Sequence, residues 1–189
     1  MLGVLVAAAV AAGLVVTARR DGTSTDAPAV LPPVATTRAE VGATGSTGPP
    51  RPTLADALVS ARPASGRFEG WTEARVALGE RCLRVVLADQ GAERGQGLRG
   101  VSDLSPYDGM VFVYPGDVET PFTMARVPVD LDITWYDATG APLDGTRMQA
   151  CPDGTDETCP LYRSSRRFRL ALETPAGGHG PGALGGCAA

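Results

Sequence analysis

Residues 131–148 read LDITWYDATGAPLDGTRM, and this stretch decides the fold class. Two runs suited to strands, Leu131 to Tyr136 and Ala141 to Met148, flank Asp137-Ala138-Thr139-Gly140. The tetrapeptide supplies a glycine where a tight turn needs positive φ, so the pattern predicts a β-hairpin. Working outward, Trp71 to Leu78 and Cys82 to Ala88 flank Gly79-Glu80-Arg81 and read as a second hairpin, with Ala74, Val76 and Leu78 alternating with Glu73 and Arg75. Met110 to Tyr114 (MVFVY) is a short apolar run of the length of a buried strand. Phe122 to Arg126 reads as a strand limited by Pro121 and Pro128. Arg167 to Glu173 alternates, with Phe168, Leu170 and Leu172 on one face. Gly91 to Arg99 has helical spacing, but Gly91, Gly95 and Gly97 shorten or break the helix. The glycine-rich tail from Pro175 reads as irregular. Six or seven short strands predict a mainly β domain, a small barrel-like or sandwich fold with one or two short helices.

Composition sets the frame around these strands. Gly and Pro occupy 40 of 189 positions, which favours turns over long elements, while a 43% hydrophobic content still suits a packed core. A net charge of −4 provides no concentrated basic surface, so no nucleic-acid partner is expected. One histidine leaves little for His-based catalysis or a His-rich metal site, and neither a metal nor a cofactor is expected.

The chain divides into three parts. Residues 1–18 (MLGVLVAAAVAAGLVVTA) carry no charge and end at Arg19-Arg20. As a helix they span about 27 Å, close to a hydrocarbon core of roughly 30 Å, and predict a membrane anchor or signal segment. Val16-Thr17-Ala18 also fits a cleavage site, so secretion after processing near Ala18 is the alternative. Arg19 and Arg20 taken alone would keep the domain cytoplasmic, but the four cysteines favour the extracytoplasmic side of the cell membrane. Residues 19–66 contain none of the ten aromatics and read as a disordered Pro/Thr/Ala/Gly-rich linker. One short helix is predicted within it, Thr53 to Arg62, with Thr53 as N-cap, Asp56 completing the cap, and Leu54, Leu58 and Val59 as its stripe. Residues 67–189 form the β-rich domain.

Several segments together resemble the bacterial and archaeal family called domain of unknown function 192. The resemblance rests on Gly97-Leu98, Gly109-Met110-Val111-Phe112, Phe122-Thr123-Met124, Leu131-Asp132-Ile133, Asp137 to Gly140, and Leu172-Glu173-Thr174-Pro175-Ala176-Gly177, in the family's order. It implies a small, mostly β, barrel-like fold and no particular activity. Arg99 stands where the family has Met, Arg126-Val127 replace a polar pair, and Asp130 replaces a Pro. The short polar loop between Cys151 and Cys159 lets the chain turn back to close a disulfide, and the resemblance supports that pair; Cys82 and Cys187 would then form a second bridge.

Candidate chemistry is sparse. Asp130 and Asp132 lie two apart, so as strand residues their carboxylates share a face and suit a shared proton or a hard cation, unless Asp132 simply accepts hydrogen bonds from a turn. Met110 and Met124 suit either a pliable pocket or the core. His179, in a glycine-rich setting, has Cys151 or Ser105 as nominal nucleophile partners, and no catalytic constellation emerges. Gly95-Gln96-Gly97 with Gly100 lacks the context of a dinucleotide fingerprint, and Arg163, Arg166, Arg167 and Arg169 read as a solvated strand edge. The resemblance places Met124, Asp132 and Glu173 in its most recognisable stretches, where two strands would bring them together, with Arg99 and Arg126 adding charge nearby. Such a site suits a small anionic or hydroxylated ligand. The reading is a non-enzymatic envelope module that binds a small molecule or an envelope component, held to the membrane by its N-terminal helix. The alternative is an enzyme using carboxylates such as Asp132 and Glu173 on cell-surface polymers, which requires those two groups about 5–10 Å apart across a cleft.

Overall fold

The computed structural model describes residues 52–178, 180 and 182–188. The expected anchor at 1–18, the linker as far as residue 51, and His179 lie outside the described residues. In chain order the elements are α1 (Leu54–Val59), β1 (Arg62–Pro63), a 3₁₀ turn (Gly66–Phe68), β2 (Thr72–Leu78), β3 (Arg81–Ala88), α2 (Gly91–Gln96), β4 (Gly109–Val118), β5 (Phe122–Thr123), β6 (Leu131–Tyr136), β7 (Pro142–Met148), β8 (Leu161–Tyr162), β9 (Phe168–Pro175) and β10 (Leu184–Gly186). One sheet runs β1-β2-β3-β4-β9-β6-β7, with β10 also on β2, and β5 and β8 form a separate ribbon. Among the described strands only β3 and β4 pair in parallel, and the other pairs are antiparallel.

The mainly β class with two short helices is correct, but the closed barrel or sandwich is not: the sheet is open. Closure needs an apolar face at both ends, and β7 buries only Met148 fully. The tail is also less irregular than expected, because β10 pairs with β2 through Leu184 opposite Leu78. Phe122 to Arg126 is a strand only at Phe122–Thr123, since the chain turns at Arg126 with φ of 63°. Residues 52–63, which the sequence placed in the linker, pack onto the domain. The capping box of α1 forms, Asp56 N donating to Thr53 Oγ1 at 3.2 Å and Thr53 N to Asp56 Oδ2 at 2.8 Å. Leu54 is buried, but Val59, assigned to the same stripe, points into solvent at 87% exposure.

Both faces of the sheet are buried. Val86, Met110, Phe112, Ile133, Trp135 and Ala171 belong to one core, which loop residues such as Leu98, Leu104 and Met124 complete. Val76, Val85, Val111, Leu170 and Leu172 form the other, beneath Leu54 and Leu184. Phe168, expected beside Leu170 and Leu172, belongs to the first core instead. Between Val113 and Val118 the register of β4 against β9 shifts, and this irregularity changes the face that Phe168 presents. Gly140 permits the close approach of the β6–β7 turn to β10: its φ is +85°, and a Cβ there would lie 2.4 Å from the Leu184 carbonyl oxygen.

Two disulfides fasten the fold, Cys151–Cys159 and Cys82–Cys187, with sequence separations of 8 and 105. On chain-entropy grounds the short loop contributes about 2.5 kcal/mol and the long one about 4.7 kcal/mol.

An ion cluster around one buried carboxylate joins β1, β2, β3 and the end of the crossover. Glu73, read from the sequence as the polar alternate of β2, is only 2% exposed. Its carboxylate accepts from Arg84 Nη2 at 2.6 Å, Arg62 Nε at 2.9 Å and Tyr107 Oη at 2.8 Å. The Arg84 bonds, helped by Tyr107 and Arg62 and opposed by burial, pull its pKa down to about 2. A lowered carboxyl pKa stabilises above the unfolded value and loses that stabilisation as pH falls through the folded one. Glu73→Gln is therefore expected to cost on the order of 3 kcal/mol at neutral pH, with the gap from wild type closing as acid denaturation is followed from pH ~4.5 toward ~2.

Candidate functional site

The connection from β3 to β4 is the one parallel crossover in the sheet, and it builds the roof of a cavity. No residue of α2 is buried. The helix is held by its polar start, where Glu93 Oε2 accepts from Asp89 N at 3.0 Å and Gln90 N at 2.9 Å, and by the buried Leu98, Val101 and Leu104 that follow. Gly97 has φ of +50°, and a Cβ there would touch the Phe112 ring at 3.4 Å, so the backbone lies directly over that aromatic. Beneath it is a cavity of about 330 Å³ bounded by Arg94, Arg99, Phe112, Tyr114, Phe122 and Glu173.

Glu173 forms the floor. On β9 it pairs with Met110 of β4 and Ile133 of β6, both buried, so apolar side chains flank it on each side. It is 4% exposed, and among the described residues nothing donates a hydrogen bond to its carboxyl group. Burial alone pushes its pKa up to about 8, so at neutral pH the group is mostly a neutral acid with one O–H to donate and lone pairs to accept. Tyr114 stands nearby; burial, with a contribution from the Glu173 charge and against that of Arg94, raises its hydroxyl to about 12. The Arg94 guanidinium lies 5.1 Å from the Tyr114 ring centroid, a cation–π contact. Phe112 and Phe122 meet edge to face at 5.1 Å.

The sequence-derived residues separate on this geometry. Arg99 and Glu173 border the same cavity. Arg99 is heavily engaged, its Nη2 on Asp156 at 2.6 Å, Nη1 on the Ala125 carbonyl at 3.1 Å and Nε on the Gly95 carbonyl at 3.3 Å. Met124 is wholly buried in the core, and Arg126 is exposed in the turn. Asp132 is on the other face of the sheet from Glu173, because it pairs with Thr174 while Ile133 pairs with Glu173. Its carboxylate is taken up by Arg147 at 2.9 and 3.2 Å and by Gly177 N at 2.6 Å. The Arg147 bonds chiefly, with the Gly177 bond, hold its pKa below the usual carboxylate range. A larger groove of about 640 Å³ passes these residues along β6 and β7, but their charges are already matched. Asp130 accepts from Ala150 N at 2.8 Å, and among the described residues no three His, Cys, Asp or Glu side chains converge on a metal position. Cys151 is disulfide-bonded and offers no nucleophile. Within the basic cluster, Arg167 and Arg169 are held by Asp117.

Arg94 and Tyr114 were not singled out from the sequence. Arg94 sits in a glycine-interrupted helix and Tyr114 ends an apolar run; the only local signal was a charged residue and a hydroxyl in segments otherwise explained by packing.

Residues 74–180 match the DUF192 family, described as an uncharacterized ACR. The fold is similar to that of a protein of unknown function from Novosphingobium aromaticivorans DSM 12444, with a TM-score of 0.54 and 24% identity over 66% of this chain and 93% of that one. It is also similar to a candidate transcription regulator from Sinorhizobium meliloti 1021, with a TM-score of 0.53 and 24% identity over 61% of this chain and 95% of that one. At this identity the likeness shows the fold alone. No curated protein matches the chain.

The raised carboxyl on the cavity floor gives a pH dependence opposite in sign to that of Glu73. The unfolded chain releases this proton near 4.5 and the folded chain near 8, so the contribution is full below ~4.5, declines as pH rises, and is gone above ~8. Glu173→Gln is expected to match wild type at pH ~4.5 and to exceed it by about 5 kcal/mol above pH ~8, read by chemical denaturation across that range. Parallel pH profiles for the two proteins would show that Glu173 is not a buried neutral acid.

Proposed function

The chain belongs to the DUF192 family, whose description names no activity, and from the geometry of its cavity we propose that it is a non-enzymatic small-molecule-binding module. One observation carries the reading: Glu173 is buried without a hydrogen-bond partner, yet opens onto a cavity walled by aromatic rings and bordered by two arginines. A buried polar group left unpaired costs roughly 1–3 kcal/mol, and a bound molecule that pairs with it recovers that cost. All the cavity residues lie within the matched span.

The enzyme reading requires two carboxylates across one cleft. Asp132 and Glu173 face opposite sides of the sheet, and Asp132 is occupied by Arg147 and Gly177. Among the described residues no second acid borders the cavity. This favours binding over carboxylate-pair catalysis.

The module's place is proposed as the extracytoplasmic face of the cell membrane. Two disulfides support an oxidising compartment, and the uncharged segment 1–18 supports a membrane partner. Among the described residues no helix is long and apolar enough to cross a membrane.

Two experiments test these readings. In a thermal-shift screen of the full-length protein against a panel of small metabolites, some compounds are expected to raise Tm by several degrees. Thr120 also lines the cavity, and Thr120→Trp, which fills it, is expected to abolish those shifts while leaving the unliganded Tm within a few degrees; shifts that survive it would refute the cavity. For location, protease added to intact cells with a permeabilised outer layer is expected to cut between residues 19 and 51, and complete protection would place the domain in the cytoplasm.

A further inference from the structure

The two arginines at the cavity differ in what they have left to give. Arg99 commits Nε, Nη1 and Nη2 to protein oxygens, including the Asp156 carboxylate. Arg94 commits only Nη1, which donates to the carbonyls of Asp89 and Val113, the latter at 2.9 Å. Among the described residues its Nε and Nη2 meet no acceptor, and it pairs with no carboxylate. The two Nη1 bonds and the Tyr114 ring fix the guanidinium plane, so its unused edge is a preorganised fork suited to an oxyanion.

The floor asks for something else. Glu173 sits between Met110 and Ile133 with no protein donor or acceptor, in a space too apolar to favour a second charge. An alcohol satisfies a neutral carboxyl in both directions, donating to its carbonyl oxygen and accepting from its hydroxyl. The Phe112, Tyr114 and Phe122 rings offer apolar surface to the C–H groups of a ring. A cavity of about 330 Å³ is at the lower end of the roughly 300–1,000 Å³ typical of small-molecule sites, room for one ring rather than a stretch of polymer.

Resting on the cavity reading above, we propose that the ligand is a single-ring hydroxylated carboxylate, an acidic sugar in chemical terms, whose carboxylate takes the free edge of Arg94 and whose hydroxyls pair with Glu173. A cationic amine is disfavoured because two guanidinium groups border the cavity. An aromatic acid would fill the walls and leave Glu173 unpaired.

The test is calorimetric titration of the full-length protein with D-glucuronate, D-glucose, D-glucosamine and benzoate at neutral pH. Glucuronate is expected to bind at least ten-fold more tightly than each of the others. Arg94→Gln is expected to reduce glucuronate to the level of glucose, Arg94→Lys to retain part of the preference, and Arg99→Gln to retain most of it. If Arg94→Gln does not fold, the ranking of the four probes on the wild-type protein decides. Glucosamine or benzoate as the tightest probe, equal binding of glucuronate and glucose, or no binding of any of the four beside cavity-dependent shifts by other compounds overturns the ligand class alone. Binding that persists unchanged in Thr120→Trp overturns the cavity reading beneath it.

Discussion

Strand β9 lies between β4 and β6, and both faces of the sheet at that point are covered, so the side chains of Phe168 and of Leu170 to Thr174 have almost no access to water. Everything else in the molecule arranges itself around that enclosure. Apolar residues satisfy it at no cost, and Leu170, Ala171 and Leu172 do so. A carboxylic acid at the next position is only 4% exposed, and among the described residues no guanidinium pairs with it. The cavity is the complement of this one misfit, space left open where the central strand buries a carboxyl group without a protein partner.

The contrast with Glu73 shows that the protein can bury a carboxylate when it provides partners. Both acids belong to the same face of the sheet, to which their register neighbours Val86 and Met110 contribute core side chains. Glu73 meets two guanidinium groups and a phenol, and its charge is favoured there; Glu173 meets none, and its charge is disfavoured. Arg84 is the hub of the first arrangement. Its backbone N–H donates to Asp108 Oδ2 and its carbonyl accepts from Asp108 N, both at 2.8 Å, while its side chain holds Glu73 and lies over Tyr107. The crossover that roofs the cavity is thus clamped at its far end by charge, and in its middle by Leu98, Val101 and Leu104.

What the sequence revealed follows from what a local pattern can encode. The hairpin at 131–148 was legible because its two runs and its Asp-x-x-Gly turn are contiguous, and the helix cap at Thr53 because both partners lie within one turn. Strand β10 was not, since Leu184-Gly185-Gly186 offers a single apolar side chain and its pairing partner is about a hundred residues away. Glu173 was reached through family resemblance, but its grouping with Asp132 failed on register: neighbouring strands set Asp132 opposite Thr174, and a shift of one residue reverses the face. No single sequence states that register. Arg94 stayed hidden because its role depends on which of its nitrogens the fold leaves unused.

The Cys82–Cys187 bridge also determines how the domain answers mechanical load. A pull applied between Pro52 and Ala188 passes from residue 52 to Cys82, across the sulfur–sulfur bond, and out through Cys187. Residues 83–186 lie in a covalent loop that such a pull bypasses. Tension can peel away α1, β1 and β2, yet it cannot extend the backbone between Arg94 and Glu173 while the bridge holds. The cavity walls are therefore drawn wholly from the part of the chain that is sheltered from stretching.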